Sequence, residues 1–363
     1  MDLTREQLAR VWLQCAPMGA WNRLRQLTEK EGGAEALWAS FSPALYDLLG
    51  KENFPILNDL RQTQCARILR VMDEARVTPV FLGAANYPER LASIQDAPDV
   101  LFVRGALPLD LPAVAIVGSR RSTRYGSTQA RKIAREVSMA GISVVSGMAR
   151  GIDTAAHLGA LDGGAPTVAV LGCGVTQAYP PENRELAQTI IDSGGAVISE
   201  LSPDAPPLPY HFPVRNRIIS GLSQGVLLVE ATEKSGTQST GEPALAQGRE
   251  VFALPGNVDS PGSELPLRFL REGASMCTCG EDIIQVLAPR REKLVQSSFL
   301  PEDSPEDAGD PVLNALAMEE KTLEELIDET GLSAGELGTR LTLLELEGRV
   351  ERRAGRAYAR IKQ

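Results

Sequence analysis

Apolar positions recur at helical spacing over the first 78 residues. Leu8, Val11, Trp12 and Cys15 share one face, as do Leu45, Leu48 and Leu49. Gly19, Gly32-Gly33, Pro43 and Pro55 punctuate the segment. The pattern predicts a small all-helical domain over residues 1–78, either a SAM or helix-hairpin-helix type DNA module or a bundle that spaces or contacts proteins. From residue 79 to residue 288 the rhythm changes. Short β-branched runs at 114–117, 143–146, 167–171, 196–199, 226–230 and 250–254 alternate with helix-forming sequence. Apolar runs without polar alternation imply strands buried on both faces, and strands alternating with helices imply a parallel sheet. Nearly every run ends at glycine or a small polar residue, at the carboxyl end of a strand where ligands of such sheets sit.

Residues 289–309 are rich in Pro, Ser and acid and lack periodicity, which reads as a linker. Beyond it, Leu323, Leu326 and Ile327 mark one helix, and Ser333 caps another carrying Leu337, Leu341 and Leu344. Gly348 to Arg353 and Ala357 to Arg360 then suggest a hairpin. Helix, helix, hairpin is the winged-helix order, expected over 310–363. The predicted class is therefore α/β: a Rossmann-like parallel sheet core with an N-terminal all-helical domain and a C-terminal winged-helix domain.

Charge sharpens this picture. The chain of 363 residues carries a formal net charge of −10, so a nucleic-acid site has to be a local basic patch on an acidic body. Such a patch exists: from Gly118 to Arg150 there are seven bases and one acid, Glu136. The C-terminal region is the opposite, with twelve acids against eight bases from Asp307 onward. Its candidate recognition helix holds one base, Arg340, against three acids, which argues against a major-groove reader. Five scattered cysteines argue against a disulfide framework and for a reducing, cytoplasmic setting. Cys277 and Cys279 lack the partners a zinc site needs, so no metal is expected. No apolar run is long enough for a membrane span.

The chemistry concentrates in strand-end turns. Gly118-Ser119-Arg120 ends a buried run before a helix, where backbone N–H groups and a guanidinium favour phosphate. Gly147 and Gly151 bracket a second such turn around Arg150, and Asp153 there is placed to cap the following helix. Asp153 and His157 share a face, but two ligands make no metal site, and His157 reads as structural. Phe212-Pro213-Val214-Arg215-Asn216-Arg217 sets an aromatic beside two arginines, a pattern suited to a single strand, with one of the arginines a candidate buried cation. Lys234-Ser235-Gly236-Thr237 is a further anion nest before a helix. Cys173 has no evident base partner, and Gly221-Leu222-Ser223-Gln224-Gly225 precedes a strand instead of joining strand to helix, so neither reads as a nucleophile. No catalytic residue and no cofactor are expected.

Residues 79–285 together resemble the DNA-processing protein A (DprA/Smf) family. The resemblance is carried by Ile116-Val117-Gly118-Ser119-Arg120, by Ser146 to Asp153 through His157, and by Tyr179-Pro180-Pro181-Glu182-Asn183. Phe212 to Ile219 and Pro255-Gly256 belong to it as well. It implies a non-enzymatic bacterial protein that binds single-stranded DNA entering by natural transformation. It also implies a homodimer that helps load the RecA recombinase, and it places Gly118, Ser119, Arg120, Arg150 and Arg217 in the pocket. The rival is an enzyme. Ser235-Gly236-Thr237 with Glu242 beyond resembles the nucleotide phosphoribohydrolases of related fold, although their Pro-Gly-Gly-x-Gly-Thr form is absent.

Overall fold

The computed structural model describes residues 2–177, 179–232, 236–288, 310–316, 321–346, 349–352 and 357–360. The expected linker, Lys234, Ser235, Gly348 and Arg353 lie outside the described residues. The chain divides into two compact units, Met1–Arg290 and Arg291–Gln363.

The first unit begins with helices, as the periodicity predicts. They are α1 (Arg5–Gln14), α2 (Trp21–Glu31), α3 (Ala34–Ser40), α4 (Tyr46–Leu49), α5 (Asn53–Asp59) and α6 (Cys65–Glu74). Thr4 and Gln7 form a capping box at the start of α1, satisfying two backbone donors reciprocally. The Glu6 carboxylate accepts from the Ala34 and Glu35 N–H groups at 3.2 and 2.6 Å, complementing the positive end of α3. Trp12 centres this core, edge-on to Trp38 and Phe41 at about 5 Å. Its indole N–H donates to Leu57 O at 2.9 Å, so the ring's polar atom is satisfied inside.

The sheet contains β1 (Thr78–Phe81), β2 (Val100–Gly105), β3 (Ala113–Val117), β4 (Ser143–Ser146), β5 (Thr167–Val170) and β6 (Ala196–Ser199). It continues with β7 (Gly225–Leu228), β8 (Glu250–Ala253) and β9 (Ser275–Met276). The intervening helices are α7 (Glu89–Ala92), α8 (Arg124–Met139), α9 (Ile152–Gly163), α10 (Arg184–Asp192), α11 (His211–Leu222), α12 (Gln238–Ala246), α13 (Glu264–Arg271) and α14 (Gly280–Leu287). Strand order is β1-β2-β6-β5-β4-β3-β7-β8-β9. All six β-branched runs are strands. These six pair parallel throughout, as expected of the core, and the sheet is extended at one edge by β2, which pairs antiparallel with β6 and with β1. These two strands add to an edge without the long crossover that a parallel partner requires.

Helices cover both faces. Ile133, Ala134 and Val137 of α8 and Ile152 and Ala156 of α9 pack on Val114, Ile116 and Val144. Ile218 and Ile219 of α11, with Leu265 and Phe269 of α13, pack on Ala115, Val117 and Val145. The helical segment is not a separate body. Val11, Ile68 and Met72 share a core with Phe81, Val100 and Phe102. Gln14 fastens the join, donating to Glu200 O at 2.9 Å and accepting from Val100 N–H at 3.2 Å.

In the second unit, α15 (Pro311–Ala315), β10 (Lys321–Thr322), α16 (Leu323–Thr330) and α17 (Ala334–Leu346) precede β11 (Val350–Arg352) and β12 (Ala357–Arg360). The three strands pair antiparallel in the order β10-β12-β11. Of the residues that the spacing singles out, Leu326, Leu337, Leu341 and Leu344 are buried and Leu323 and Ile327 partly so, and Val312, Leu313 and Val350 join them. This is a winged helix with an added N-terminal turn and a third short strand.

Candidate nucleic-acid interface

In strand order, β3 lies between β4 on one side and β7 on the other, so the crossovers reverse direction between β3 and β7. A crevice at the carboxyl ends is expected at such a switch point. A cleft of about 770 Å³ opens there, lined by the 117–121 turn, the start of α11, and Glu230, Thr232, Gly236, Thr237, Ser239 and Thr240 among others.

The turn between β3 and α8 does not offer its N–H groups as freely as the sequence suggests. Thr123 donates to Glu230 twice, from N–H at 2.8 Å and from Oγ1 at 2.5 Å. Ser119 N–H donates to Glu230 O at 2.6 Å, and Arg121 N–H donates to Ser119 Oγ at 3.1 Å. Glu230 is buried. The protein thus places its own carboxylate at the positive end of α8, where an external anion would otherwise be drawn. Positive charge open to solvent at this turn is therefore on side chains. Arg120 and Arg121 are exposed, and no carboxylate pairs with either among the described residues.

The second turn, between β4 and α9, is built around a buried cation. Arg215 Nη1 donates to Gly147 O at 2.8 Å and also to Val170 O, and its Nε donates to Asn216 Oδ1 at 3.0 Å. A Cβ at Gly147 would lie 2.6 Å from both Arg215 Nη2 and Asp153 Oδ2, so only glycine fits. Asp153 is not the expected cap, because α9 starts after Gly151 and Asp153 sits inside its first turn. Its carboxylate turns back and accepts from Ala149 N–H at 3.3 Å. Burial pushes this carboxyl up to about 6, with Arg215 pulling the other way. Burial likewise brings the Arg215 guanidinium down to about 10. Asn216, also buried, donates to Ser239 Oγ at 2.7 Å and Gly236 O at 3.2 Å, which positions the turn entering α12.

Phe212 forms the aromatic wall. Its ring lies 5.1 Å from the Arg120 guanidinium carbon and 5.5 Å from the Tyr179 ring. A Cβ at Gly172 would come within 2.8 Å of it, so the glycine lets the ring seat itself. The arrangement is a guanidinium over an aromatic face with a second aromatic alongside, the elements that hold a phosphate and stack a base.

The structure brings Gly118, Ser119, Arg120, Phe212, Arg215, Asn216, Gly236 and Thr237 to the cleft. Gly147 and Arg150 line a small annex with Arg120 and Phe212, and Arg150 there pairs with Glu182. Gly151 lies beneath the 119–120 backbone as the N-cap of α9, with φ of +77°. Arg217 is not in the cleft. Residues two apart on a helix point about 200° from one another, so Arg215 and Arg217 face opposite ways. Arg217 meets both Glu200 oxygens at 2.6 Å and Asp96 at 2.8 Å, beside Gln14. Sequence reasoning missed Glu230, Tyr179 and Arg121 as cleft residues. The signal for Glu230 was a lone acid ending an otherwise apolar strand run.

The groups set aside as nucleophiles or ligands are placed accordingly. The Cys173 thiol donates to Gln177 O at 3.2 Å, and burial pushes it up to about 11. Ser223 Oγ donates to Ile219 O within α11 and its cap. Glu242 is exposed and accepts from Gln238 at 2.6 Å, away from the cleft lining. His157 is buried with Nδ1 2.9 Å from Thr167 Oγ1, and burial holds it down at about 3. Among the described residues, no group of three His, Cys, Asp or Glu side chains is arranged to hold a metal, and no helix is long and apolar enough to cross a membrane.

Residues 78–288 match the family model of DNA recombination-mediator protein A, and residues 298–356 match that of the DprA winged helix domain. Protein Smf of Escherichia coli is 40% identical over 283 residues, covering 76% of this chain and 75% of its own. The X-ray structure of DNA processing protein A from Streptococcus pneumoniae is similar with a TM-score of 0.65 at 32% identity, over 79% of this chain and 99% of that one. DNA processing protein A from Helicobacter pylori, whose structure concerns a single-stranded DNA binding mode, is similar with a TM-score of 0.52 at 28% identity. That match covers 61% of this chain and 97% of that one.

Proposed function

This chain belongs to the DNA recombination-mediator protein A family, and we propose that it binds single-stranded DNA in the switch-point cleft. One observation carries the reading: Arg120 is exposed, unpaired among the described residues, and set 5.1 Å from the Phe212 ring. Arg120 takes a phosphate through a charge-assisted contact, and Phe212 with Tyr179 receives an unpaired base. A duplex hides its base faces and gains nothing from the aromatic wall. The single-stranded DNA binding mode of the Helicobacter pylori relative supports the same ligand. Arg215, Asp153 and Asn216 hold the cleft's shape from beneath.

Within that activity the protein acts in the cytoplasm as a homodimer without a catalytic step. It protects DNA entering by natural transformation and helps load the RecA recombinase onto it. These roles rest on family membership. The placement of Glu242 outside the cleft favours binding over a phosphoribohydrolase reaction. The test compares affinity for single- and double-stranded oligonucleotides of equal length, for the native chain and for Arg120→Ala. Preference of the native chain for the single strand, and weaker single-strand binding by Arg120→Ala, are expected. Equal affinity for both forms, or hydrolysis of a nucleoside monophosphate by the native chain, would refute the assignment.

A further inference from the structure

A second hollow, of about 500 Å³, adjoins the cleft and shares Thr123, Glu230 and Ser260 with it. Tyr125, in the first turn of α8, forms one of its walls and is 47% exposed. Its hydroxyl donates to Pro255 O at 2.8 Å. Burial, and then the Glu230 carboxylate, raise the phenol above its ordinary value, so the hydroxyl stays a donor at neutral pH. The ring is therefore tethered at its polar end and bare along its flank. Stacking loses little conformational freedom on such a surface, unlike on a free side chain.

The surroundings supply charge. Arg121 lines the cleft between Arg120 and Tyr125, and Arg124 directly precedes Tyr125 on the exposed face. No carboxylate pairs with Arg121 or Arg124 among the described residues. Other bases on the same helix are engaged: Arg131 pairs with Asp162 at 2.6 Å and Lys132 with Glu136 at 3.8 Å. Arg121 and Arg124 thus lie without a carboxylate partner at the end of α8 that meets the cleft, and Arg135, also without one among the described residues, lies about three turns further along the helix. Because Glu230 occupies the helix terminus, attraction for a phosphate here comes from these guanidinium groups. In chain order the exposed surface presents Arg120 over Phe212, then Arg121, then Arg124 and Tyr125. Arginine alternating with an aromatic face is the layout of a groove that follows a single strand.

We propose that Tyr125 is a second base-stacking platform, taking a nucleotide further along the strand whose first base stacks at Phe212, with Arg121 holding phosphate between them. The proposal rests on the reading that the cleft binds single-stranded DNA. It adds a direction to that reading, in which the strand leaves the cleft over the start of α8 toward the 255–263 loop.

The test uses the full chain and oligothymidylates carrying a single 5-iodouracil stepped along the strand, cross-linked by light and mapped by mass spectrometry. Cross-links to Phe212 or Tyr179 from one position and to Tyr125 from another are expected. Tyr125→Ala is expected to bind a long oligothymidylate about tenfold or more weaker, the scale of one lost stack. Tyr125→Phe, which keeps the ring, remains near the native value, and both variants hold an oligonucleotide too short to leave the cleft as well as the native chain does. The native-chain cross-links keep the question decidable even if Tyr125→Ala folds poorly. Absence of any Tyr125 cross-link, native affinity in Tyr125→Ala, or equal losses in the Ala and Phe variants overturns the second platform. Where Arg120→Ala still weakens binding and cleft cross-links form, only this proposal fails. Where both are silent, the cleft itself is the wrong site.

Discussion

The start of α8 and the exposed face of α17 are the two helical surfaces of this molecule to which DNA would most naturally be assigned, and they differ in what their arginines are free to do. On α17 the single base, Arg340, is bound to the buried Asp310, with its Nε 2.6 Å from Asp310 Oδ2. The face left exposed carries Glu336, Thr339, Thr342, Leu343 and Glu345. Around α8 the basic excess splits in two. Arg131, Lys132 and Arg150 are paired with acids, whereas Arg120, Arg121 and Arg124 near the cleft, and Arg135 further along α8, are not, among the described residues. The count of positive charges marks out a region, but the partners each charge already has decide whether it can meet a phosphate. Surface pairs contribute little to stability, so keeping Arg120 and Arg121 unpaired costs the fold little and leaves them available.

The contrast can be broken most forcefully from beneath the cleft. Arg215→Ala removes a buried guanidinium and leaves Gly147 O, Val170 O and Asp153 without it. A loss of about 3–5 kcal/mol in unfolding free energy is expected, measured by urea denaturation. Arg217→Ala, on the opposite face, should destabilise as well but leave strand affinity per folded molecule unchanged. Next in size, Arg120→Ala should weaken single-strand binding by about 1–3 kcal/mol with the melting transition intact. The log–log salt slope should also become shallower by about 0.7 for the one phosphate no longer neutralised. An unaltered slope would show that Arg120 touches no phosphate.

A smaller effect is expected from pH. The Asp153 carboxyl, raised to about 6 by burial, is ionised at pH 7 and largely neutral at pH 5. Its negative charge is thereby removed from beside Arg215 and Arg120, and affinity for a polyanion rises as pH falls. The gain reaches about tenfold if the bound strand raises that carboxyl by a further unit. Burial holds His157 at about 3, below this range, and lowers His211 from its ordinary value. Asp153→Asn should flatten the profile between pH 5 and 7, and a profile identical to the native one would assign it elsewhere. The smallest effect is expected from deleting residues 307–363, which should leave single-strand affinity nearly unchanged. Loss of binding in a folded, deleted chain would reverse the contrast between the two surfaces.

Much of this architecture is legible in residue pattern. The six parallel strands are short β-branched runs because each is buried on both faces, and the glycine turns mark their carboxyl ends. β1 and β2 are harder to see. β1 contains Pro79, which a strand tolerates only at an edge, and β9 is two exposed residues long. Within the site, Arg120 and Phe212 are legible from local chemistry. Arg217 is not, since its partners Asp96 and Glu200 are distant in sequence, although its helical offset from Arg215 already separates the two. Glu230 was hidden for the same reason: it acts on Thr123 across a strand pairing of β3 with β7 that only the fold reveals.

The antiparallel edge also decides where the polypeptide can be cut. Trimming the chain after Phe81 to isolate the rest of the sheet would strip β2 of its outer partner and uncover Val100 and Phe102, both fully buried in the intact molecule. It would also remove Gln14, which ties the backbones at Val100 and Glu200 together. What remained would present a long apolar strand with unsatisfied backbone groups, the kind of edge that recruits copies of itself into aggregates. A protease nick in the opening helices is therefore a lesion of the sheet, and insolubility of the trimmed fragment would be its signature.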